Sequence, residues 1–281
     1  MTVELRSDIA ALWRGRDPFR VVSGLQGELY RHREGRRTLR VELDGRPFFL
    51  KEHRGVGWGE IVKNLTQVRL PVLGAEREYH AIRRLEAVGI DTLAIAAFGA
   101  RGRNPARRHS FLLTDELTGM ISLEELGESW RARPGGVAFK RSLIRRVAEI
   151  ARRMHDAGVN HRDFYLCHFL LPETEAQREN PGTPLHLIDM HRSRLRARLP
   201  ERWRIKDLGG LYFSVARLGL SRRDLLRFVR AYEQRPMRDA LIRNARRWDR
   251  TRREGERIYA RYFEVQPRFP LQFAEHPGKD I

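Results

Sequence analysis

The sequence has little of what indicates a secreted or membrane-spanning protein. It contains one cysteine, Cys167, so no disulfide can form within the chain, which favours a reducing compartment. The longest nearly apolar stretch runs from Leu93 to Ala100, whereas a membrane-spanning helix needs about 20 such residues. Residues 1–20 carry three acidic side chains and no apolar segment, which is not typical of a signal peptide. We therefore expect a cytoplasmic protein.

Acidic residues are also scarce relative to basic ones. The chain has 55 Lys and Arg against 36 Asp and Glu, a net charge of +19, and most of the cations are arginines. Arginine forms paired hydrogen bonds with phosphate and carboxylate groups. Such a surface suits nucleic acid, an anionic membrane or a polyanionic substrate. Charge alone does not choose among them, and a solvated basic surface with no dedicated ligand is a further alternative.

Hydrophobic periodicity divides the chain into a strand-rich first part and a helix-rich second part. Apolar patterns predict strands at residues 28–31, 38–43, 47–52, 93–98 and 110–114, with Asp44-Gly45 as a hairpin turn. Helical spacing predicts helices at residues 75–88, 142–155, 224–232 and 238–263. The order favours the α+β class, with an antiparallel sheet and one main helix followed by a mainly helical region.

The segment His161-Arg162-Asp163 carries the most informative short motif. It follows a predicted helix and Gly158, and an apolar stretch beginning at Phe169 comes after it. In this context it resembles the catalytic loop of kinases, in which the aspartate accepts the proton of the attacking hydroxyl. We therefore predict Asp163 as the general base and His161 as structural support. A surface loop is the alternative for a motif this short.

A metal site is predicted from two residues, Asp189 and His168, that come later in the sequence than Asp163. Asp189 ends a short apolar strand, as the metal-binding aspartate of kinases does. His168 stands five residues after Asp163, where kinases have a metal-binding asparagine. Imidazole is a poorer Mg²⁺ ligand than an amide oxygen, so His168 either binds the metal or only packs. Met190-His191 replaces the usual Phe-Gly after Asp189, which favours a small-molecule or sugar kinase over a regulated protein kinase.

A phosphate-binding lysine is predicted at the end of the third strand. Lys51 matches the kinase lysine that binds the α- and β-phosphates of ATP and pairs with a helix carboxylate. Glu78 is the best partner, because Ile82 and Leu85 continue the same face of its helix. A solvated lysine is the alternative for such a residue on its own.

The loop that covers the phosphates is harder to recognise, because the sequence contains no Gly-x-Gly-x-x-Gly. The turn between the first two strands carries Gly35 among Arg33, Arg36 and Arg37. Arginines there could donate to phosphate where backbone amides usually serve. We assign Gly35 and Arg37 to ATP binding, with an ordinary basic hairpin as the alternative.

Two more segments complete the kinase pattern. The apolar strand at residues 110–114 leads into a polar exit, and we expect the backbone from Asp115 to Leu117 to bind the adenine edge. Asp207, in Lys206-Asp207-Leu208-Gly209-Gly210, resembles the buried aspartate that holds the backbone of the catalytic loop. We expect Asp207 to be structural rather than catalytic.

Three longer segments are similar to one particular family. Residues 55–65, GVGWGEIVKNL, residues 70–76, LPVLGAE, and residues 161–169, HRDFYLCHF, resemble the lipopolysaccharide core heptose(I) kinase family, WaaP. The similarity runs from about Gly24 to Arg230. It implies a bilobal protein-kinase-like fold, with an N-terminal extension (1–20), an N-lobe and hinge (21–117) and a helical C-lobe (118–281).

The resemblance also implies a reaction and a place for it. The enzyme would transfer the γ-phosphate of ATP, with Mg²⁺, to a heptose of the lipopolysaccharide inner core on the cytoplasmic face of the inner membrane. Its acceptor, a lipid A intermediate, is a polyanion, which agrees with the charge of +19. We expect Trp58 to contact the acceptor sugar, with loop anchoring as the alternative.

Several alternatives stay open. The same fold could act on another core sugar or on protein tyrosine or serine. A non-catalytic basic binding module is disfavoured by the presence of Lys51, Asp163 and Asp189. Nucleic-acid binding is disfavoured because the chain has no recognisable reading motif. An acidic protein partner that covers the basic surface is also conceivable.

Overall fold

The computed structural model describes residues 1–33, 35–55, 57–58, 74–104, 106–130, 132–216 and 218–263. These residues form two compact units. Unit 1 comprises residues 1–83, 92–118 and 190–192, and unit 2 comprises residues 84–91, 119–189 and 193–281.

Unit 1 is built around a six-stranded sheet. Its strands are β1 (Thr2–Leu5), β2 (Glu28–Arg33), β3 (Arg36–Leu43), β4 (Arg46–His53), β5 (Ile95–Arg101) and β6 (His109–Asp115), in the order β1-β5-β6-β4-β3-β2. The helices in the described residues of this unit are α1 (Ser7–Leu12), α2 (Pro18–Gly24) and α3 (Glu76–Ala87), the last of which continues into residues grouped with unit 2. Adjacent strands are antiparallel. The predicted hairpin turn is present, because Asp44 and Gly45 both have positive φ, as a tight turn between twisted strands requires.

The two faces of this sheet differ. Side chains alternate along a strand, so Phe48 and Leu50 of β4 point to the face opposite Lys51. On that face they form a buried core with α1 and α2, in which Phe19 meets Phe111 edge to face at 5.2 Å. The first 24 residues, for which no strand or helix is predicted from the sequence, therefore cover one face of the sheet and extend its edge.

Unit 2 is mainly helical. Its helices are α4 (Leu123–Ser129), α5 (Val137–Asp156), α6 (Glu173–Gln177), α7 (Glu201–Val215), α8 (Arg222–Glu233) and α9 (Met237–Phe263). Its short strands are β7 (Met120–Ser122), β8 (Val159–Asn160), β9 (Phe169–Pro172), β10 (His186–Leu187) and β11 (Arg194–Leu195), which pair as β10-β9-β7 and β11-β8. Helix α7 packs against α9, and α5 packs against α8.

The predicted order of elements and the α+β class are confirmed. Each predicted strand and helix is present, with ends that differ from the prediction by up to five residues, as at the start of α5. That helix starts directly after Gly136, which ends a stretch rich in proline and glycine. In the part of the chain that the structure describes, no helix is both long and apolar enough to cross a membrane.

Candidate active site

The loop that carries Asp163 is fixed by hydrogen bonds to one buried carboxylate. Asp207, on α7, accepts hydrogen bonds from the backbone amides of His161 and Arg162, each at 2.9 Å, and from the Asn160 side chain at 2.8 Å. Asp207 is 1% exposed. The structural role predicted for Asp207 therefore agrees with its contacts, which fix the backbone on the amino-terminal side of Asp163.

A second layer of polar groups holds Asp207 itself. Buried His155, on α5, lies 3.4 Å from the Asp207 carboxylate through Nε2, and its Nδ1 lies 2.8 Å from the Tyr232 hydroxyl on α8. Burial lowers the pKa of His155. Burial on its own would raise the pKa of Asp207, but hydrogen bonds from His155 and Asn160 bring it below its ordinary value. This link between α5, α7 and α8 is not predicted from the sequence.

Two residues of this region have strained backbones. Arg162 has φ 78° and Asp189 has φ 64°, in the left-handed region that side chains other than glycine rarely adopt. Such conformations persist where the surroundings hold them, and they are concentrated at functional sites. The bond from the Arg162 amide to Asp207 is one such restraint.

Two histidines connect the loop to the segment that carries Asp189. His161 donates through Nε2 to the carbonyl of Ile188 at 2.9 Å, and burial lowers the pKa of His161. His168 donates through Nδ1 to the carbonyl of Asp163 at 2.6 Å, and the two imidazole rings stack at 5.6 Å. The support predicted for His161 is thus visible as a contact with the residue preceding Asp189.

The predicted metal residues lie side by side. His168 Nε2 is 3.4 Å from Asp189 Oδ2. Because Nδ1 donates to a carbonyl, Nε2 is the ring nitrogen that can bind a cation together with the Asp189 carboxylate. Within the described ranges, no group of three or more His, Cys, Asp or Glu could hold a metal ion. Two protein ligands fit Mg²⁺, which usually keeps waters and substrate phosphates as its other ligands.

The lysine and glutamate of unit 1 are paired as predicted. Lys51 Nζ lies 2.7 Å from Glu78 Oε1. Glu78 is 4% exposed, and helix α3 holds it beside the sheet. The pair fixes the end of a flexible side chain, which otherwise samples many rotamers. The role of Lys51 in binding phosphate stays a prediction.

Arg37, predicted to bind ATP, has a different environment. Its Nε donates to Glu52 at 2.6 Å, and its Nη2 donates to the carbonyl of Val22 at 2.8 Å. Arg37 lies directly opposite Glu52 in the β3–β4 ladder, whereas Lys51 lies opposite Thr38. Arg37 is therefore on the face that α2 covers and not on the face of Lys51. The prediction that Arg37 binds ATP together with Lys51 does not agree with this register, because a shift of one residue along a strand reverses the face.

Gly35 and the start of the predicted adenine-binding segment form main-chain hydrogen bonds. Gly35 has φ 69°, and its carbonyl accepts from the amide of Arg54 at 2.7 Å. The amides of Asp115 and Glu116 donate to the carbonyls of Ala94 and Pro47. Leu117 forms no main-chain hydrogen bond with the residues that the structure describes. The role of Asp115 to Leu117 in binding adenine stays a prediction.

Comparison with known proteins identifies the family. A family model described as the lipopolysaccharide kinase (Kdo/WaaP) family matches residues 21–232. The chain belongs to this family. It is therefore a kinase, and the family predicted from the sequence is confirmed.

Individual relatives of the kinase are similar over nearly their whole length. It is 49% identical over 261 residues to a Pseudomonas aeruginosa protein named lipopolysaccharide core heptose(I) kinase WaaP, covering 93% of this chain and 97% of that protein. It is 52% identical over 239 residues to an Escherichia coli protein of the same name, covering 85% and 90%. A solved structure titled "WaaP in complex with acyl carrier protein" has a TM-score of 0.79 at 44% identity, covering 92% of this chain and 100% of that one.

The predicted acceptor contact of the kinase is Trp58. Trp58 is 58% exposed, which leaves its indole accessible. Residues 59–73, which include most of two of the segments on which the family resemblance rests, lie outside the described residues. The role of Trp58 stays a prediction.

Proposed function

We propose that this kinase transfers the γ-phosphate of ATP to heptose I of the lipopolysaccharide inner core. The observation that carries the proposal is the loop held by Asp207, with Asp163 at its end and the His168–Asp189 pair beside it. The names of the relatives, at 49% and 52% identity, support the choice of acceptor.

Each described group has one task in this reaction. The heptose hydroxyl oxygen attacks the γ-phosphorus of ATP, and the Asp163 carboxylate accepts the proton of that hydroxyl. The bond between the γ-phosphorus and the oxygen that bridges to the β-phosphate breaks. Lys51, held by Glu78, binds the α- and β-phosphates, and the Leu117 backbone binds adenine. Asp189 and His168 would hold Mg²⁺, which neutralises phosphate charge when bound. Asp207 and His155 position the loop without touching substrate.

The acceptor is tested by locating the transferred phosphate. The enzyme is incubated with Mg²⁺, isotopically labelled ATP and core lipopolysaccharide from which heptose phosphate has been removed, and the product is mapped by mass spectrometry and phosphorus NMR. We expect label on heptose I and none on a matched acceptor truncated before the heptose. Label on another core sugar, or on protein, would contradict the proposed acceptor.

We further propose that the enzyme works at the cytoplasmic face of an anionic membrane. Helix α9 supports this, because five exposed arginines recur every three or four residues on the side away from buried Trp248 and Gly255. They are Arg246, Arg250, Arg253, Arg257 and Arg261. From first to last they span about 22 Å of helix. Each cation near an anionic bilayer contributes about 1 kcal/mol of binding free energy.

Membrane binding is tested with charge reversal on α9. Replacing Arg246, Arg250 and Arg261 by Glu should weaken cosedimentation with phosphatidylglycerol vesicles by about 100-fold or more. A control triple variant at exposed Arg14, Arg16 and Arg20 has the same net charge. Equal losses in the two triple variants would contradict a specific role for α9.

We also propose an acyl carrier protein as a binding partner. A solved structure of a relative is a complex with acyl carrier protein, and carrier proteins of this class are acidic, which suits a chain of +19. Unit 2 also contains a mostly apolar cavity of about 300 Å³, with Leu126, Leu143, Leu211 and Trp248 in its walls. An acyl chain fits such a lining. Binding of acylated but not of unacylated carrier protein, measured by calorimetry, is the expected result, and equal affinity would contradict the use of the cavity.

A further inference from the structure

The hairpin between β2 and β3 differs from the phosphate-covering loop usual in kinases. That loop is rich in glycine and lies over the phosphates of the nucleotide. Here Arg33 pairs with Arg36 in the β2–β3 ladder, so only positions 34 and 35 separate the strands. A connection this short leaves little backbone to surround a triphosphate. Side chains next to the turn are then the available donors.

Strand register decides which side chains face Lys51. In an antiparallel pair, directly opposite residues point to the same face, and alternate residues along a strand share a face. Thr38 lies opposite Lys51, and Arg36 lies opposite His53. Arg36, Lys51 and His53 are therefore on one face. This is the face that helices α1 and α2 do not cover.

Charge on this face agrees with the register. Burial, together with the positive charges of Arg36 and Lys51, lowers the pKa of His53 to about 4. At neutral pH the ring is uncharged. Among the described side chains of β3 and β4, the cations on this face are Arg36, Lys51 and Arg40, and Arg40 is paired with Glu116 at 2.7 Å. Glu78 is the carboxylate paired with Lys51. An anion with several charges would be attracted to this face.

We propose that Arg36 binds the β- and γ-phosphates of ATP, so that one guanidinium beside Lys51 replaces the backbone amides of a glycine-rich loop. The proposal rests on the proposed function, because it assumes that the nucleotide lies on the Lys51 face. A guanidinium binds phosphate through two parallel hydrogen bonds, which a lysine in its place cannot form. Arg36 thus selects for nucleotides that carry terminal phosphates.

The test compares nucleotides that differ only in their phosphates. Binding of ATP, AMP and adenosine is measured by calorimetry with Mg²⁺ for the wild type, Arg36→Ala, Arg36→Lys and the exposed control Arg16→Ala. We expect Arg36→Ala to weaken ATP binding by roughly 10- to 100-fold, as for loss of a charge-assisted pair, with adenosine unchanged. Arg36→Lys should recover part of the loss, and Arg16→Ala should match the wild type.

The possible failures can be told apart. An Arg36→Ala variant that binds ATP within twofold of the wild type would overturn the proposal for Arg36 alone. Equal weakening of ATP and adenosine would overturn it too, since it would show a structural role. A folded wild type that binds no ATP would overturn the proposed function and the assignment of Arg36 with it. Circular dichroism and melting temperature establish that each variant is folded.

Discussion

The loop that carries Asp163 and the hairpin that carries Arg36 are built in opposite ways. The loop is held by Asp207, which accepts bonds from two backbone amides and the Asn160 side chain and is itself held by His155. In the hairpin, strands β2 and β3 pair as far as Arg33 and Arg36, and basic side chains lie on both faces of β3. A proton acceptor needs a fixed position, and a fixed backbone supplies it. A polyphosphate needs several donors, and long arginine side chains can supply those.

The largest effect on stability and activity is expected when the loop that carries Asp163 loses its hydrogen bonds to Asp207. Asp207→Ala leaves the buried amide of His161 and the half-buried amide of Arg162 without their acceptor. We expect the free energy of unfolding to fall by about 3–5 kcal/mol, as for loss of one partner of a buried charged network, and kcat to fall by about 100-fold or more. Denaturant unfolding and steady-state kinetics measure both. Unchanged kcat in the folded variant would contradict positioning by Asp207.

The next prediction concerns the paired lysine of unit 1. Lys51→Met keeps the apolar stem and removes the charge, so Glu78 loses its partner. We expect kcat/KM for ATP to fall by about 100-fold, as when an electrostatic contact to a transferring phosphoryl group is lost. The melting temperature should fall less than for Asp207→Ala. A variant with normal ATP kinetics would show that the phosphates lie elsewhere.

The variant Arg37→Ala tests whether ATP binding depends on only one face of the sheet. Its loss removes a bond to Glu52, whose side chain is fully buried, although Arg54 and His109 also contact that carboxylate. We expect the free energy of unfolding to fall by about 2 kcal/mol. The Kd for ATP should match the wild type, in contrast to Arg36→Ala. Weaker ATP binding with no loss of stability would reverse the assignment of the two arginines.

The smallest effect is a pH dependence of stability. The pKa of His53 is lowered from 6.5 to about 4 in the folded protein, so the unfolded chain binds more protons between these values. The contribution of His53 to the free energy of unfolding is therefore fully present above pH 6.5, and it is lost as the pH falls toward 4. At pH 5 the loss is about 1–2 kcal/mol. His53→Asn should show a shallower decrease over this range in urea unfolding, and an unchanged slope would contradict the shift.

Groups placed by local motifs and chain order were predictable. Six groups were located by a short kinase-like motif or by their place in the chain order: Lys51, Glu78, Asp163, His168, Asp189 and Asp207. The structure brings Lys51 to Glu78, His168 to Asp189 and Asp207 to the Asp163 loop. Short motifs were sufficient here because each one also occurs at the expected place in the chain order.

Features that depend on register or on distant residues were not predictable. The strand predicted to begin at Thr38 begins at Arg36, and a difference of one position decides whether an arginine faces Lys51 or Glu52. Strand β1 pairs with β5, nearly 100 residues further along the chain, at Thr2↔Ala100. The contact between His155 and Tyr232 joins residues 77 positions apart. Local sequence patterns do not predict contacts between residues so far apart in the chain.

The central claim is that Asp163 is the general base of a sugar kinase, and the isosteric variant Asp163→Asn tests it most directly. Transfer of labelled γ-phosphate from ATP to core lipopolysaccharide lacking heptose phosphate is measured for this variant and the wild type, with ATP affinity as the control for folding. We predict a loss of kcat of about 100-fold or more, with unchanged affinity for ATP. Wild-type transfer by Asp163→Asn would contradict the account.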